Sequence, residues 1–372
     1  MIALPTQRQN NFLALLPYLF TFRCLALPLE VPVVSRQHFL LASSAPWFPS
    51  ITRSTTGTIE LPLIFLPNGG CLAVKISFND RNNERRLLVY SAIVDTGSPF
   101  LTAPSATERY SRDASRRYPP TQEQYGEAVG SMQWRSASNV EFPTQDFEHP
   151  LLMDKTIFGI PNANVVDDTG GIFCGLILQD DKRPTVLHQW GYSSFILDYS
   201  NKILTLSQQS IIDQHDGEAL QLFDFAPYGE NIHHYGVLCP SFTLVMPPTA
   251  NQKETEITVS TLQRPVVVVI DSGLTGCVFS DSLQNELLFS GKLQSLDDVS
   301  GLSVTLPQQS GTPLTLSSNQ QYWFLTSFKL PWFQDDDIHP HVIALGATFL
   351  APNSRVSIDP LLRRAKIEVQ KL

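Results

Sequence analysis

The chain has 372 residues, a net charge of −9 at pH 7, 42% hydrophobic residues and 16% charged ones. That length can bury a large core and fits two lobes of ordinary domain size. The acidic balance excludes the basic footprint of a nucleic-acid binder. The 27 prolines and the many short apolar runs punctuated by Gly, Asn, Asp and Ser favour a β-rich fold over a helical one.

At the N-terminus, Arg8 is followed by the apolar run "FLALLPYLFTF" (12–22) and then by "RCLALP". This is the pattern of a secretory signal with a small-x-small cut after Ala26. It predicts a signal peptide over 1–26 and a secreted or vacuolar/lysosomal-type location. The run is too short to span a membrane. Residues 27–65 read as a short pro-like segment whose cationic residues are Arg36, His38 and Arg53. An N-terminal lobe over 66–208 and a C-terminal lobe over 209–372 are expected to follow.

In the first lobe, "AIVDTGSPFLTAP" (92–104) is a buried-looking strand that ends on Asp95, turns through Thr96, Gly97 and Ser98, and becomes apolar again. Taken alone it reads as a surface turn, since Asp and Gly favour turns. "QYGEAVGSMQW" (124–134) reads as a hairpin. "GGIFCGLIL" (170–178) is an apolar strand carrying Gly175, and "SFILDYSNKILTL" (194–206) is a closing hairpin turned at Asp198.

The second half repeats this design. "VVVVIDSGLTGCVFSD" (266–281) runs five apolar residues into Asp271, Ser272 and Gly273. "DSLQNELLFSG" (281–291) is the best short-helix candidate. "HVIALGATFL" (341–350) places Gly346 where the first half has Gly175, and "RVSIDPLLRRAKIEV" (355–369) turns at Asp359 as its counterpart turns at Asp198. Such self-similarity points to two copies of one unit. Of the five cysteines, at 24, 71, 174, 239 and 277, removal of the signal leaves four. Cys174 and Cys277 fall inside apolar strands, where a buried thiol is expected.

These features, spanning roughly 70 to 370, resemble the pepsin-type (A1-like) aspartic protease family. The resemblance implies a mainly all-β, bilobal fold with pseudo-twofold symmetry, few short helices and a cleft between the lobes. It implies an aspartic endopeptidase in which Asp95 and Asp271 activate water, with no metal and no other cofactor. It also assigns Thr96, Gly97, Ser98, Ser272, Gly273 and Thr275 to the supporting loops, and Tyr125 and Gly126 to a flap over the substrate. The implied partner is an extended peptide or protein substrate, and a monomer with no membrane span and no nucleic-acid partner is expected. Phe100, Leu101, Tyr125, Leu274 and Val278 are candidates for lining or backing apolar pockets.

The chemistry follows from like charges. Two carboxylates at close range cannot both ionise easily, so the pair shares one proton over a broad acid range. One member then acts as general base on water while the protonated one polarises the scissile carbonyl. Leu274 departs from the family's Ser or Thr after Asp-x-Gly, which removes a hydroxyl from Asp271. With the short pro-like segment and the loosely matched flap, this keeps a second reading open: a pepsin-fold protein that binds or inhibits without cleaving.

Overall fold

The structure, a computed structural model, describes residues 57–66, 70–79, 87–125, 128–138, 140–142, 151–153, 155–162, 172–178, 184–228, 234–248, 254–329, 339–351 and 354–369. The expected signal peptide at 1–26 lies outside these residues, as does the pro-like segment up to residue 56.

In the first half, β1 (Thr58–Leu66), β2 (Cys71–Asn79) and β3 (Leu87–Asp95) form an antiparallel meander. A hairpin of β4 (Thr121–Tyr125) and β5 (Ala128–Ala137) follows. Next come β6 (Phe173–Gly175), the short helix α1 (Val186–Trp190) and the closing hairpin of β7 (Ser194–Asp198) and β8 (Ile203–Ser207). The boundary drawn at 65/66 therefore falls inside β1, because Leu61 and Leu63 point into the core while residues 58–62 pair with β8.

The second half contains β9 (Gly236–Cys239), β10 (Val266–Ile270), β11 (Cys277–Ser280), α2 (Asp281–Phe289) and β12 (His341–Leu345). It ends with α3 (Ala347–Leu350) and the hairpin of β13 (Ser354–Asp359) and β14 (Arg364–Val369). The helix α2 occupies the predicted 281–291 segment. The Ser280 hydroxyl caps it by accepting the Leu283 N–H.

The two halves repeat each other in three dimensions. β6 runs parallel to β3, with Gly175 opposite Asp95, and β12 runs parallel to β10, with Leu345 opposite Ile270. All five residues of β10 are buried, as a continuous β-branched run flanked by strands on both sides demands. The closing hairpins also match. Asp198 accepts the Asn201 N–H at 2.8 Å and Asp359 accepts the Leu362 N–H at 2.9 Å. Each turn then passes through a left-handed residue, Lys202 (φ 55°) or Arg363 (φ 54°). A non-glycine residue there is uncommon, so its recurrence at equivalent positions marks one turn used twice.

A single sheet joins the halves, with strands in the order β6-β3-β2-β1-β8-β7-β13-β14. At its middle β7 pairs with β13, Phe195 opposite Ile358. The closing strands of the two repeats thus lie side by side, and the loops bearing Asp95 and Asp271 face each other from opposite lobes. None of the four described cysteines forms a disulfide, and all are buried. Among the described residues, no helix is long and apolar enough to cross a membrane.

Gly175 and Gly346 sit directly behind the two aspartate loops. A Cβ on Gly175 would lie 2.5 Å from both the Ser98 carbonyl and the Phe100 nitrogen, and one on Gly346 would overlap the Leu274 carbonyl. These neighbours are backbone and cannot swing aside. Gly346→Ala is therefore expected to cost about 3 kcal/mol, the upper end of ordinary overpacking. Urea denaturation checks this, and an unchanged midpoint would contradict the steric role.

Candidate active site

The aspartate loops are built from the ends of β3 and β10 and cross-linked by one residue from each. The Thr96 hydroxyl donates to the Ile270 carbonyl at 2.8 Å, and the Ser272 hydroxyl donates to the Val94 carbonyl at 2.7 Å. Each hydroxyl oxygen also accepts the other residue's backbone N–H, at 2.9 Å for the Thr96 hydroxyl and 3.1 Å for the Ser272 hydroxyl. The four bonds are buried and reciprocal. Thr96 and Ser272 thus do what the sequence predicts of them.

Gly97 and Gly273 explain themselves by what a side chain would strike. A Cβ on Gly97 would lie 2.6 Å from Oδ2 of Asp271, and one on Gly273 would lie 2.6 Å from Oδ1 of Asp95. Each glycine therefore backs the carboxylate of the opposite lobe. Each also serves its own: the Gly97 N–H donates to Asp95 Oδ1 at 2.7 Å, and the Gly273 N–H donates to Asp271 Oδ1 at 3.0 Å. The two carboxyls lie close enough that the charge of one disfavours ionisation of the other, so the pair holds one proton over the acid range.

Burial pushes both carboxyls above the ordinary range, Asp271 further than Asp95. For Asp271 the negative charge of Asp95 adds to burial, and only the backbone N–H groups of Gly273 and Leu274 oppose it. For Asp95 the Gly97 N–H, the nearby Ser98 hydroxyl, Asp271 and the charge of His234 all oppose burial. The Ser98 hydroxyl is buried and completes no hydrogen bond of normal geometry among the described residues. It is a neighbour of Asp95 rather than a bonded partner. The Leu274 side chain supplies no hydroxyl, but its main-chain N–H faces Asp271 and makes up part of the loss. Thr275 is buried and supports the loop through its carbonyl, which accepts the Thr348 N–H at 2.9 Å.

The predicted flap falls on the β4–β5 hairpin. Tyr125 ends β4, opposite Ala128, and Gly126 lies outside the described residues. The base of this hairpin is anchored beside the Asp95 loop: Trp134 packs edge-on against Phe100 at 4.9 Å and donates to the Thr121 hydroxyl at 3.1 Å. Phe100, Leu101 and Val278 are buried and back the site rather than line it, whereas Leu274 is half-buried.

Several neighbours of the pair were not foreseen. The buried Cys71 thiol donates weakly to the Gly273 carbonyl at 3.7 Å. Cys174 lies beneath Asp95, and burial together with that aspartate's charge pushes its thiol up to about 12, so it stays protonated. His234 is buried close enough to Asp95 to act on it. It also lines a cavity of about 420 Å³ with Leu178, His188, Phe225, Tyr235 and Leu361. Separately, His341 bridges Glu286 at 2.6 Å and Ser282 at 3.0 Å. That trio ties α2 to β12, and His341 is fully buried. Among the described residues, no group of three or more His, Cys, Asp or Glu could hold a metal ion.

No family model matches the chain, and no curated protein matches it. Among solved structures it is similar to basic 7S globulin from soybean, with a TM-score of 0.54 at 10% identity, over 85% of this chain and 96% of that one. The chain has the pepsin-like fold. This agrees with the mainly β, two-lobed architecture and its internal repeat. In the pepsin-like frame, Asp95 and Asp271 are the facing carboxyls of the two lobes.

The raised carboxyls make a signed prediction about stability. A folded-state pKa above the ordinary value of about 3.9 stabilises the fold fully below that value, and the benefit is lost as pH rises through the folded pKa. Asp271→Asn removes this titration. The variant should melt close to wild type near pH 3 and progressively above it as pH rises from there through the raised titration. Melting curves across that range check the sign, and a constant difference would contradict the raised titration.

Proposed function

We propose that the chain is an aspartic endopeptidase that hydrolyses peptide bonds in mildly acid solution. The observation that carries this reading is the facing carboxyl pair, braced by Thr96 and Ser272 and backed by glycines that leave room for nothing larger. Singly protonated, such a pair holds a base and an acid at one point. The ionised member takes a proton from water as the water attacks the scissile carbonyl. The protonated member donates to that carbonyl oxygen, and a proton then passes to the leaving amine. The substrate is an extended peptide held by main-chain hydrogen bonds, with large apolar residues flanking the cut. The protein acts as a monomer, because each lobe supplies one carboxyl. It is secreted or held in a vacuolar or lysosomal-type compartment.

A second reading, a binding or inhibitor module without cleavage, is favoured by Leu274 at a position where the family carries a hydroxyl, and by likeness to a protein named as a globulin. Incubation with denatured casein across acid pH, with and without pepstatin, separates the two. The proposed enzyme cleaves and is inhibited, whereas a module leaves casein intact.

Asp95→Asn and Asp271→Asn are each expected to abolish cleavage, a loss of at least about 10²–10⁴-fold for the acid–base function, while the protein stays folded. Near-full activity in either variant would sink the mechanism.

The pH profile depends on Leu274. Activity needs the singly protonated pair, so raising both apparent values shifts the whole bell toward neutral pH. Leu274→Thr offers the carboxylate a hydroxyl, favours its ionised form and should move the acid limb downward. Superimposable acid limbs on one peptide substrate would remove Leu274 from the explanation.

A further inference from the structure

We infer that Tyr235 is a positioning residue that sets the spacing of the two aspartate loops; the kinetic part of this inference rests on the peptidase reading. Tyr235 precedes β9, is 2% exposed and packs its ring against Phe195 of β7 at 5.8 Å. Its carbonyl accepts the N–H of Ile270, the residue before Asp271, at 3.0 Å. Its hydroxyl crosses to the other half, donating to the Leu176 carbonyl at 2.7 Å and accepting the Leu178 N–H at 2.9 Å. Leu176 in turn donates its N–H to the Asp95 carbonyl at 2.7 Å. One side chain thus closes an unbroken circuit from the main chain of Asp95 to the strand that carries Asp271.

The circuit is stiff because both capacities of the hydroxyl are used. Burial pushes the phenol far above its ordinary range, so it remains a donor at any working pH. The repeat makes the contact one-sided. By register, Leu72 stands to Asp95 as Tyr235 stands to Asp271, since Ala73 faces Ile93 and Gly236 faces Val269. Leu72 is fully buried and can donate nothing. The bonds between Thr96 and Ser272 hold the loops at a single locus, about which two lobes could still rock. Tyr235 adds a fixed point away from that locus.

Tyr235→Phe keeps the ring and removes the strut, leaving a buried carbonyl and a part-buried N–H without this partner. Two effects are expected. The kcat falls about tenfold or more, with KM changed less than about twofold, because the loss acts on the dyad and not on peptide binding. The dyad's titration, followed by carbon-13 NMR of labelled Asp carboxyls without substrate, moves down toward the ordinary range as the loops part and water enters. Leu244→Val, in the core of the outer C-terminal sheet, serves as a control that lowers stability and leaves that titration in place. A folded Tyr235→Phe protein with the wild-type titration overturns the inference. So does fast hydrogen exchange of the Leu178 amide in the wild type, a measurement independent of whether the variant folds. If the titration shifts but no form cleaves peptide, the peptidase reading fails while the positioning role stands.

Discussion

The four hydrogen bonds that Thr96 and Ser272 make with each other and with the Ile270 and Val94 carbonyls are the constraint on which the rest of the molecule depends. Each bond links the loop of one lobe to the strand or loop of the other. Together they bring Gly97 against the Asp271 carboxyl and Gly273 against that of Asp95. Desolvating two carboxyls opposes folding, and mutual repulsion adds to the cost if both ionise. The cost is contained because one proton stays on the pair and each carboxyl accepts a backbone N–H from its own loop. In a low-dielectric setting such a network is strong when complete and expensive when broken. This explains why the loops combine small residues with hydroxyls.

Much of this was legible in the sequence because it rests on local chemistry repeated twice. Asp-Thr-Gly and Asp-Ser-Gly, the buried glycines at 175 and 346, and the Asp-turn hairpins at 198 and 359 each announce a backbone geometry that few other residues satisfy. Finding each in duplicate converts weak signals into a specific one. The groups that escaped notice act through contacts between residues distant in the chain. Nothing near Cys71 in sequence points to the Gly273 carbonyl, 202 positions away. Nothing near Tyr235 points to Leu176 and Leu178 in the other half. Nothing near His234 in sequence points to Asp95 in the other half. The start of the first lobe was placed late for a related reason. β1 is recognised by its pairing with β8, whose residues come near the end of the first repeat.

The repeat is symmetric in its backbone and unequal in its side chains. Ser98 brings a hydroxyl near Asp95, while the equivalent Leu274 brings only its main-chain N–H to Asp271. Cys71 and His234 sit at matching register positions, each reaching across to the opposite loop with different chemistry. Leu72 and Tyr235 form a third unequal pair. Every one of these differences gives the Asp95 side either more polar company or firmer anchorage.

A singly protonated pair of carboxyls already holds one acid and one base, and a difference between the two environments biases which member carries the proton. Here the bias has a definite sense. Groups that favour an ionised carboxylate gather around Asp95, and burial with little relief falls on Asp271. The titration belongs to the pair, and the two lobes contribute to it unequally. The duplicated unit supplies the closely spaced pair, and the few side chains that differ around it make the two carboxyl environments unequal.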